Sequence, residues 1–279
     1  MLEPHFLDSH SAKVIGGRPA ILGCPLDVTS TYRAGSSEAP SAIRISSDSI
    51  ESYCPLLDRD LADRPFADLG DLHLAGQSLE EKLDEIQVNV EKILEQGGVP
   101  LCVGGEHTVT LPIIQAFKKH SGKFVILHLD AHSDLRDSYE GQKINHSTVM
   151  RRVVEITGHE NLIQFGIRSG TREEFHWIRE HGVLASFRPG LESTLLKRIA
   201  GRPVYLTLDL DILDPACFPG VGNPEAGGWP YKLLERFIKF LVHVDIIGLD
   251  VVELMPSIDR SEMSSITAAK IIRSLLLVC

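Results

Sequence analysis

The chain has 279 residues, of which 43% are hydrophobic and 24% are charged, and its formal net charge is -10. This composition is typical of a soluble globular protein, and the acidic balance argues against nucleic acid or an anionic membrane as a partner. The five cysteines are widely spaced and contain no CxxC pair, which disfavours a disulfide framework and a thiolate zinc site.

The N-terminal stretch MLEPHFLDSH has neither the basic region nor the apolar region of a signal peptide. No segment approaches the roughly 18 uninterrupted apolar residues that a transmembrane helix needs. We therefore expect a cytoplasmic protein that does not enter the membrane.

Apolar runs alternate with amphipathic stretches along the whole chain. The strands are expected at 19–25, 99–105, 123–130, 161–167, 202–211 and 244–254. The helices are expected at about 79–96, 108–120, 145–156, 171–181, 190–200, 231–241 and 262–278. Such alternation predicts a three-layer α-β-α fold with a mostly parallel, doubly wound central sheet. We expect one domain that spans residues 1–279.

Acidic and histidine side chains end or directly follow three of the predicted strands, within the motifs GGEH, DAHSD and LDLD. These side chains are His107, Asp130, His132, Asp134, Asp209 and Asp211. Ligands of parallel sheets bind beyond the carboxyl ends of the strands, and a spacing of two aims extended side chains to one side. Four carboxylates brought together would repel one another unless cations neutralised them. The three clusters together predict a site for two divalent ions, whereas each acid alone could be only a turn or cap residue.

The ligand types narrow the choice of metal. Imidazole and carboxylate without thiolate suit manganese, and less distinctively zinc, iron, cobalt or nickel. Two such ions can lower the pKa of a shared water, which then becomes a usable nucleophile near neutral pH.

The ordered motifs GGEH, DAHSD and LDLDILDP resemble the signatures of the ureohydrolase superfamily of arginases and agmatinases. Segments over nearly the whole chain are similar as well, among them GCPLD, YRAG, APSAIR, PGVGNPEAGG and GLDVVELMPSID. The resemblance implies an arginase-like fold, two manganese ions per subunit and assembly into homo-trimers or homo-hexamers. Glu106 departs from the family pattern, which often has Asp there; we interpret it as a change beside a ligand.

The resemblance also implies a role for each motif residue. His107 and Asp134 would bind one ion, and His132 and Asp211 would bind the other. Asp130 and Asp209 would bridge the two ions. His128, two residues before Asp130, is expected instead to be a hydrogen-bonded core histidine.

The implied reaction is hydrolysis of a guanidino group to urea and an amine. Asp134 would aim the attacking hydroxide, and Glu253 would pair with the planar guanidinium. His146 matches the family's proton-shuttling histidine and would contact the substrate when it protonates the leaving amine. The alternative for His146 is an ordinary residue at the start of a helix.

The segments that should select the substrate, LRDSYEGQKIN and GIRSGTREE, do not match the arginase pattern, and the second resembles the agmatinase type. The leading hypothesis is therefore hydrolysis of agmatine, a small cationic guanidine, to putrescine and urea, a step of polyamine biosynthesis. Asp137 and Glu140 would suit its amine, and Trp229 could offer a cation–π face. Surface loop acids and a buried loop anchor are the plainer interpretations of these three residues.

Other functions remain open from sequence alone. Arg136 keeps guanidinobutyrate as a possible substrate because it could pair with a carboxylate, and arginine or formiminoglutamate hydrolysis would use the same chemistry. An alternative of another class is an inactive metal-binding homologue that regulates through protein contacts.

Overall fold

The computed structural model describes residues 5–9, 13–74, 76 and 78–279. The strands within these ranges are β1 (Pro19–Cys24), β2 (Tyr53–Cys54), β3 (Arg59–Asp60), β4 (Ala67–Asp71), β5 (Val99–Gly104), β6 (Val125–Leu129), β7 (Leu162–Phe165), β8 (Val204–Asp209) and β9 (Ile246–Val252). The helices are α1 (Ala39–Ser47), α2 (Leu79–Glu95), α3 (Thr110–His120), α4 (Val149–Thr157), α5 (Arg172–His181), α6 (Glu192–Ile199), α7 (Tyr231–Leu241) and α8 (Met263–Leu276).

Seven strands form one parallel sheet in the order β4-β1-β5-β9-β8-β6-β7. Strands β2 and β3 pair separately as a short antiparallel ribbon. The six predicted strands and seven predicted helices are present, with ends that differ by a few residues. The predicted three-layer α/β fold is therefore confirmed.

Both faces of the sheet are covered by helices. One core contains apolar side chains of α1, α6, α7 and α8, and the other contains side chains of α2, α3, α4 and α5. Successive residues of a strand contribute to opposite cores, as Leu206 and Tyr205 of β8 do. None of the described helices is long and apolar enough to cross a membrane.

An edge of the sheet is fixed by a buried ion pair that the sequence patterns did not reveal. Arg44 of α1 donates to both carboxylate oxygens of Asp68 in β4 at 2.8 Å, and it also pairs with Asp71. Asp68 additionally accepts the backbone N–H of Phe6. Because a buried ion pair is costly to break, Arg44 and Asp68 tie α1 to β4.

The middle of the sheet positions the functional residues. Strands β5, β9, β8 and β6 are consecutive neighbours, so the segments that follow them meet at one edge. The motifs GGEH, DAHSD and LDLD, together with Glu253, lie in these segments. The topology therefore brings together residues that lie up to 146 positions apart, as the hydrogen bond between His107 and Glu253 demonstrates.

Candidate metal centre

A cavity of about 480 Å³ opens at the carboxyl ends of the central strands. Its walls include four of the six predicted ligands, together with His146 and Glu253. The other two predicted ligands, His107 and Asp130, are almost completely buried beside it.

Three carboxylates surround one ring nitrogen of His107. Its Nδ1 lies 3.1 Å from Asp130 Oδ2, 3.2 Å from Asp134 Oδ2 and 3.3 Å from Asp209 Oδ2. Within the described part of the chain this buried nitrogen has no hydrogen-bond partner. A buried nitrogen without a partner is costly unless something else binds it, and a cation among three carboxylate oxygens would do so.

A second group of ligand atoms lies next to the first. His132 Nδ1 is 2.8 Å from Asp211 Oδ2 and 3.6 Å from Asp130 Oδ1. Asp130 therefore faces His107 with Oδ2 and His132 with Oδ1. This arrangement gives two adjacent groups that could each hold an ion, with Asp130 between them.

The convergence of these side chains has a different cause from the one that the sequence predicted. Strand β6 ends at Leu129, so Asp130 and the residues after it are not an extended strand. Asp130 Oδ1 instead accepts the backbone N–H of His132 at 2.6 Å, and Asp134 adopts a left-handed backbone with φ of 53°. The prediction that period-two spacing aims all three side chains was wrong, because a tight polar turn places them.

The other nitrogen of His107 leads into a buried polar network beneath the cavity. His107 Nε2 lies 2.9 Å from Thr207 Oγ1, and the Thr207 hydroxyl donates to Asp250 Oδ1 at 2.7 Å. Asp250 also accepts from the hydroxyls of Thr110 and Tyr205. Because the Thr207 proton is committed to Asp250, its oxygen accepts from His107 Nε2–H, which leaves Nδ1 unprotonated for a metal.

His128 is hydrogen-bonded at both ring nitrogens, which confirms the prediction of a structural core histidine. Its Nε2 lies 2.8 Å from Asp130 Oδ2, and its Nδ1 lies 2.9 Å from the amide nitrogen of Gln164. That amide also donates to the carbonyl of Ser133. Although the ring lies within the same cluster, its contacts orient Asp130.

The electrostatics of the cluster favour bound cations. Burial and the charge of Asp130 raise the pKa of Asp211 to about 6, and burial with the charges of Asp211 and Asp130 raises the pKa of Asp209 well above its ordinary value. Burial alone would lower the pKa of His132, but Asp211 and Asp130 raise it to about 12. Positive charge is thus stabilised here and negative charge is in excess, which fits divalent metal ions.

Glu253 and His146 lie side by side on the cavity wall. Glu253 has a left-handed backbone with φ of 67°, and its Oε1 accepts the backbone N–H of His107 at 2.7 Å. His146 Nδ1 is 3.6 Å from the same oxygen, and Nε2 is 3.0 Å from Thr31 Oγ1. Burial would lower the pKa of His146, but Glu253 raises it overall. The protonated imidazole is therefore favoured.

The loop that carries Thr31 is held by Glu106. Its carboxylate accepts the backbone N–H of Thr29 at 2.8 Å and the hydroxyl of Ser30 at 3.1 Å. Burial and the charge of Glu253 raise the pKa of Glu106 to about 7. Glu106 therefore supports the loop beside His146 rather than facing the ligand cluster.

Three predicted substrate contacts, Asp137, Glu140 and Trp229, do not line the cavity. Asp137 is exposed and pairs with Arg152 at 3.0 Å, so its charge is directed away from the site. Trp229 packs among Phe165, Phe187 and Phe237 as an anchor of its loop. The prediction that Asp137, Glu140 and Trp229 bind substrate is corrected accordingly.

Other cavity residues were not identified from sequence. Arg33 and Glu174 line the cavity, and so does Glu225, which lies in the quoted motif PGVGNPEAGG. Each lies on a loop or at a helix start, where neither hydrophobic periodicity nor strand ends indicate direction. Arg33 lies in the segment YRAG and Glu174 in GIRSGTREE, so the family-like segments contained all three residues without indicating which of their side chains face the cavity.

Comparisons with known proteins identify the family and agree with the fold. The model of the arginase family matches residues 18–278. Agmatinase of Bacillus subtilis is 45% identical over 98% of both chains. Guanidinobutyrase of Pseudomonas aeruginosa is 35% identical over 93% of this chain and 85% of its own length. The crystal structure of agmatine ureohydrolase of Thermoplasma volcanium superimposes with a TM-score of 0.85 and 29% identity, over 100% of this chain and 94% of that one.

Proposed function

The chain belongs to the arginase family and is a hydrolase of the ureohydrolase class, and we propose from that premise that it converts agmatine to putrescine and urea with two bound manganese ions. The observation that carries the proposal is the unpartnered Nδ1 of His107 among three carboxylates. The 45% identity to an agmatinase supports agmatine as the substrate.

The donor set fits two divalent ions because it combines imidazole nitrogens with carboxylates and no thiolate. The residues that would hold the ions are His107, Asp130, His132, Asp134, Asp209 and Asp211. Bound divalent ions would supply Lewis acidity and make water a nucleophile near neutral pH.

Two carboxylates on the cavity wall would position the reactants. Asp134 lies against His107 and is slightly exposed to the cavity, so it can accept a hydrogen bond from the attacking water. Glu253 has one oxygen fixed by the backbone of His107, which leaves the other to accept N–H groups of the guanidinium. A planar guanidinium paired with a carboxylate presents its central carbon in a defined orientation.

His146 would move a proton to the leaving amine. Burial would lower the pKa of His146, but the contact with Glu253 raises it overall, which favours the protonated ring as a proton donor. Its Nε2 faces the hydroxyl of Thr31 at the cavity wall, 3.0 Å away. Departure of a neutral amine requires a proton donor, and His146 is the acid that we assign to this step.

A second candidate substrate is guanidinobutyrate, which has a carboxylate where agmatine has an ammonium group. Arg33 and Arg136 line the cavity, and one relative is named a guanidinobutyrase. The formal charge of the tail is therefore the main difference between the two candidates.

A substrate panel tests the proposed function. Protein loaded with manganese is expected to release urea from agmatine with a kcat/KM at least about tenfold above that for 4-guanidinobutyrate, arginine or formiminoglutamate, because only agmatine has a cationic tail without a carboxylate. Putrescine should appear in equal amount. Turnover of guanidinobutyrate or arginine without turnover of agmatine would overturn the assignment of agmatine as the substrate. If no guanidine is turned over, an inactive metal-binding protein is favoured instead.

A further inference from the structure

We propose that Glu225 binds the ammonium end of the substrate and so determines that this site takes a cationic rather than an anionic tail. This inference rests on the proposed function, because it names the group that recognises agmatine at the end opposite to the guanidinium. Glu225 is half-buried and lines the same cavity as Asp134, Asp209 and Glu253.

The side chain of Glu225 has an oxygen available for a ligand. Its Oε1 accepts the hydroxyl of Ser169 at 2.9 Å, and the described residues supply no further donor to the carboxylate. Glu174, another carboxylate of the cavity wall, differs in this respect. Its Oε1 accepts from Ser133 Oγ and Leu135 N, and its Oε2 accepts from Thr171 N.

Glu225 is held at a fixed position relative to the ligand cluster. The guanidinium of Arg168 donates through Nη2 to the carbonyls of both Asp211 and Glu225 at 2.8 Å, and through Nε to the carbonyl of Ala226 at 3.2 Å. Ser169, which holds the Glu225 carboxylate, accepts the backbone N–H of Ser133 with its own carbonyl. A carboxylate fixed in this way can discriminate among substrates because little ordering is needed when they bind.

The cations of the cavity wall have other partners. Arg136 lies 3.7 Å from Glu174 and over the ring of Tyr139, and Arg33 lies over the ring of Tyr32. Neither forms an ion pair with Glu225 among the described residues. The negative charge of Glu225 is therefore available to an ammonium group, and it would repel the carboxylate of guanidinobutyrate.

The test compares Glu225→Gln with the wild-type protein and with Glu160→Gln, a control that removes a carboxylate from the exposed surface. Glu225→Gln is expected to raise the KM for agmatine about tenfold and to change kcat much less, because the tail contact is present in both the ground state and the transition state. The preference for agmatine over guanidinobutyrate should fall by a similar factor. Glu160→Gln should leave these values unchanged.

Inhibition separates a tail contact from a general disturbance of the site. Putrescine carries ammonium groups, whereas guanidine has no tail. Glu225→Gln is expected to raise the inhibition constant of putrescine about tenfold and to leave that of guanidine unchanged. An agmatine KM within twofold of wild type, or an equal loss of affinity for guanidine and putrescine, would overturn the proposal.

Direct binding distinguishes failure of this proposal from failure of the proposed function. Calorimetric titration of putrescine into the manganese-loaded protein should show binding that weakens in Glu225→Gln. If the wild-type protein binds putrescine through Glu225 but releases no urea from agmatine, the proposed function fails and the ammonium site stands. If agmatine is hydrolysed and putrescine binding does not depend on Glu225, the ammonium site fails alone.

Discussion

Asp130 and Asp209 of the candidate metal centre form the same local hydrogen bond to the backbone. Asp130 accepts the backbone N–H of His132 with Oδ1, and Asp209 accepts the backbone N–H of Asp211 in the same way at 2.8 Å. In each case Oδ2 remains directed at Nδ1 of His107. In the sequences Asp-x-His and Asp-x-Asp, the aspartate thus forms a short turn with the residue two positions later. The turn directs both side chains toward the candidate metal centre.

Replacement of one of these aspartates tests the bridging assignment. Asp130→Ala is expected to lose manganese binding by at least about a hundredfold and urea release with it, because Asp130 is the acid placed between both histidines. Metal content after dialysis, measured by mass spectrometry, gives the readout independently of activity. Asp137→Ala removes a neighbouring acid outside the cavity and should keep both ions. Retention of two ions by Asp130→Ala would refute the assignment.

At the scale of elements, hydrophobic patterns predicted the strands and helices in which apolar residues form a continuous run or a stripe along one face. Strand β4 and helix α1 were not predicted, because their buried positions include Asp68 and Arg44, which satisfy each other. In the sequence, a charged residue in a short segment that contains Gly is typical of a turn, and only its ion-pair partner shows that it is buried. The pairing is long-range information that a local pattern does not contain.

Asp259, just before α8, is a residue at which the pH dependence of the folding stability can be tested. Asp259 accepts the backbone N–H and hydroxyl of Ser264 and those of Ser261. Burial opposes ionisation, but these hydrogen bonds lower the pKa of Asp259 to about 2, below its ordinary 3.8. Since the folded pKa is depressed, the stabilisation is present above about pH 4 and is lost as pH falls toward 2.

We expect Asp259→Asn to lower the free energy of unfolding of the metal-free protein by about 2 kcal/mol at pH 7. The difference from wild type should shrink as pH falls from about 4 to 2. The free energy of unfolding is measured by urea denaturation followed by circular dichroism. Asp63→Asn, at an exposed position, serves as the matched control. A difference that stays constant from pH 7 to pH 2 would exclude a role for ionised Asp259.

At the scale of the whole molecule, the parallel sheet allows the residues of the metal centre to be predicted from sequence. It does not allow the same for the loop residues that contact the tail of the substrate. Residues after β5, β6 and β8 must meet because these strands lie within the four consecutive central positions β5-β9-β8-β6 of the sheet. Loop direction follows no such rule. Asp137 points away to Arg152, whereas Glu225, in a loop after β8, lines the cavity because Arg168 holds its backbone.

The metal dependence of urea release tests the central claim most directly. Metal-free protein is titrated with manganese while the initial rate of urea release from agmatine is followed. The arrangement of His107 and His132 around Asp130 predicts no urea without metal and a rate that rises until two ions are bound per chain. Full activity in the metal-free protein, or saturation after one ion, would contradict a dinuclear hydrolase.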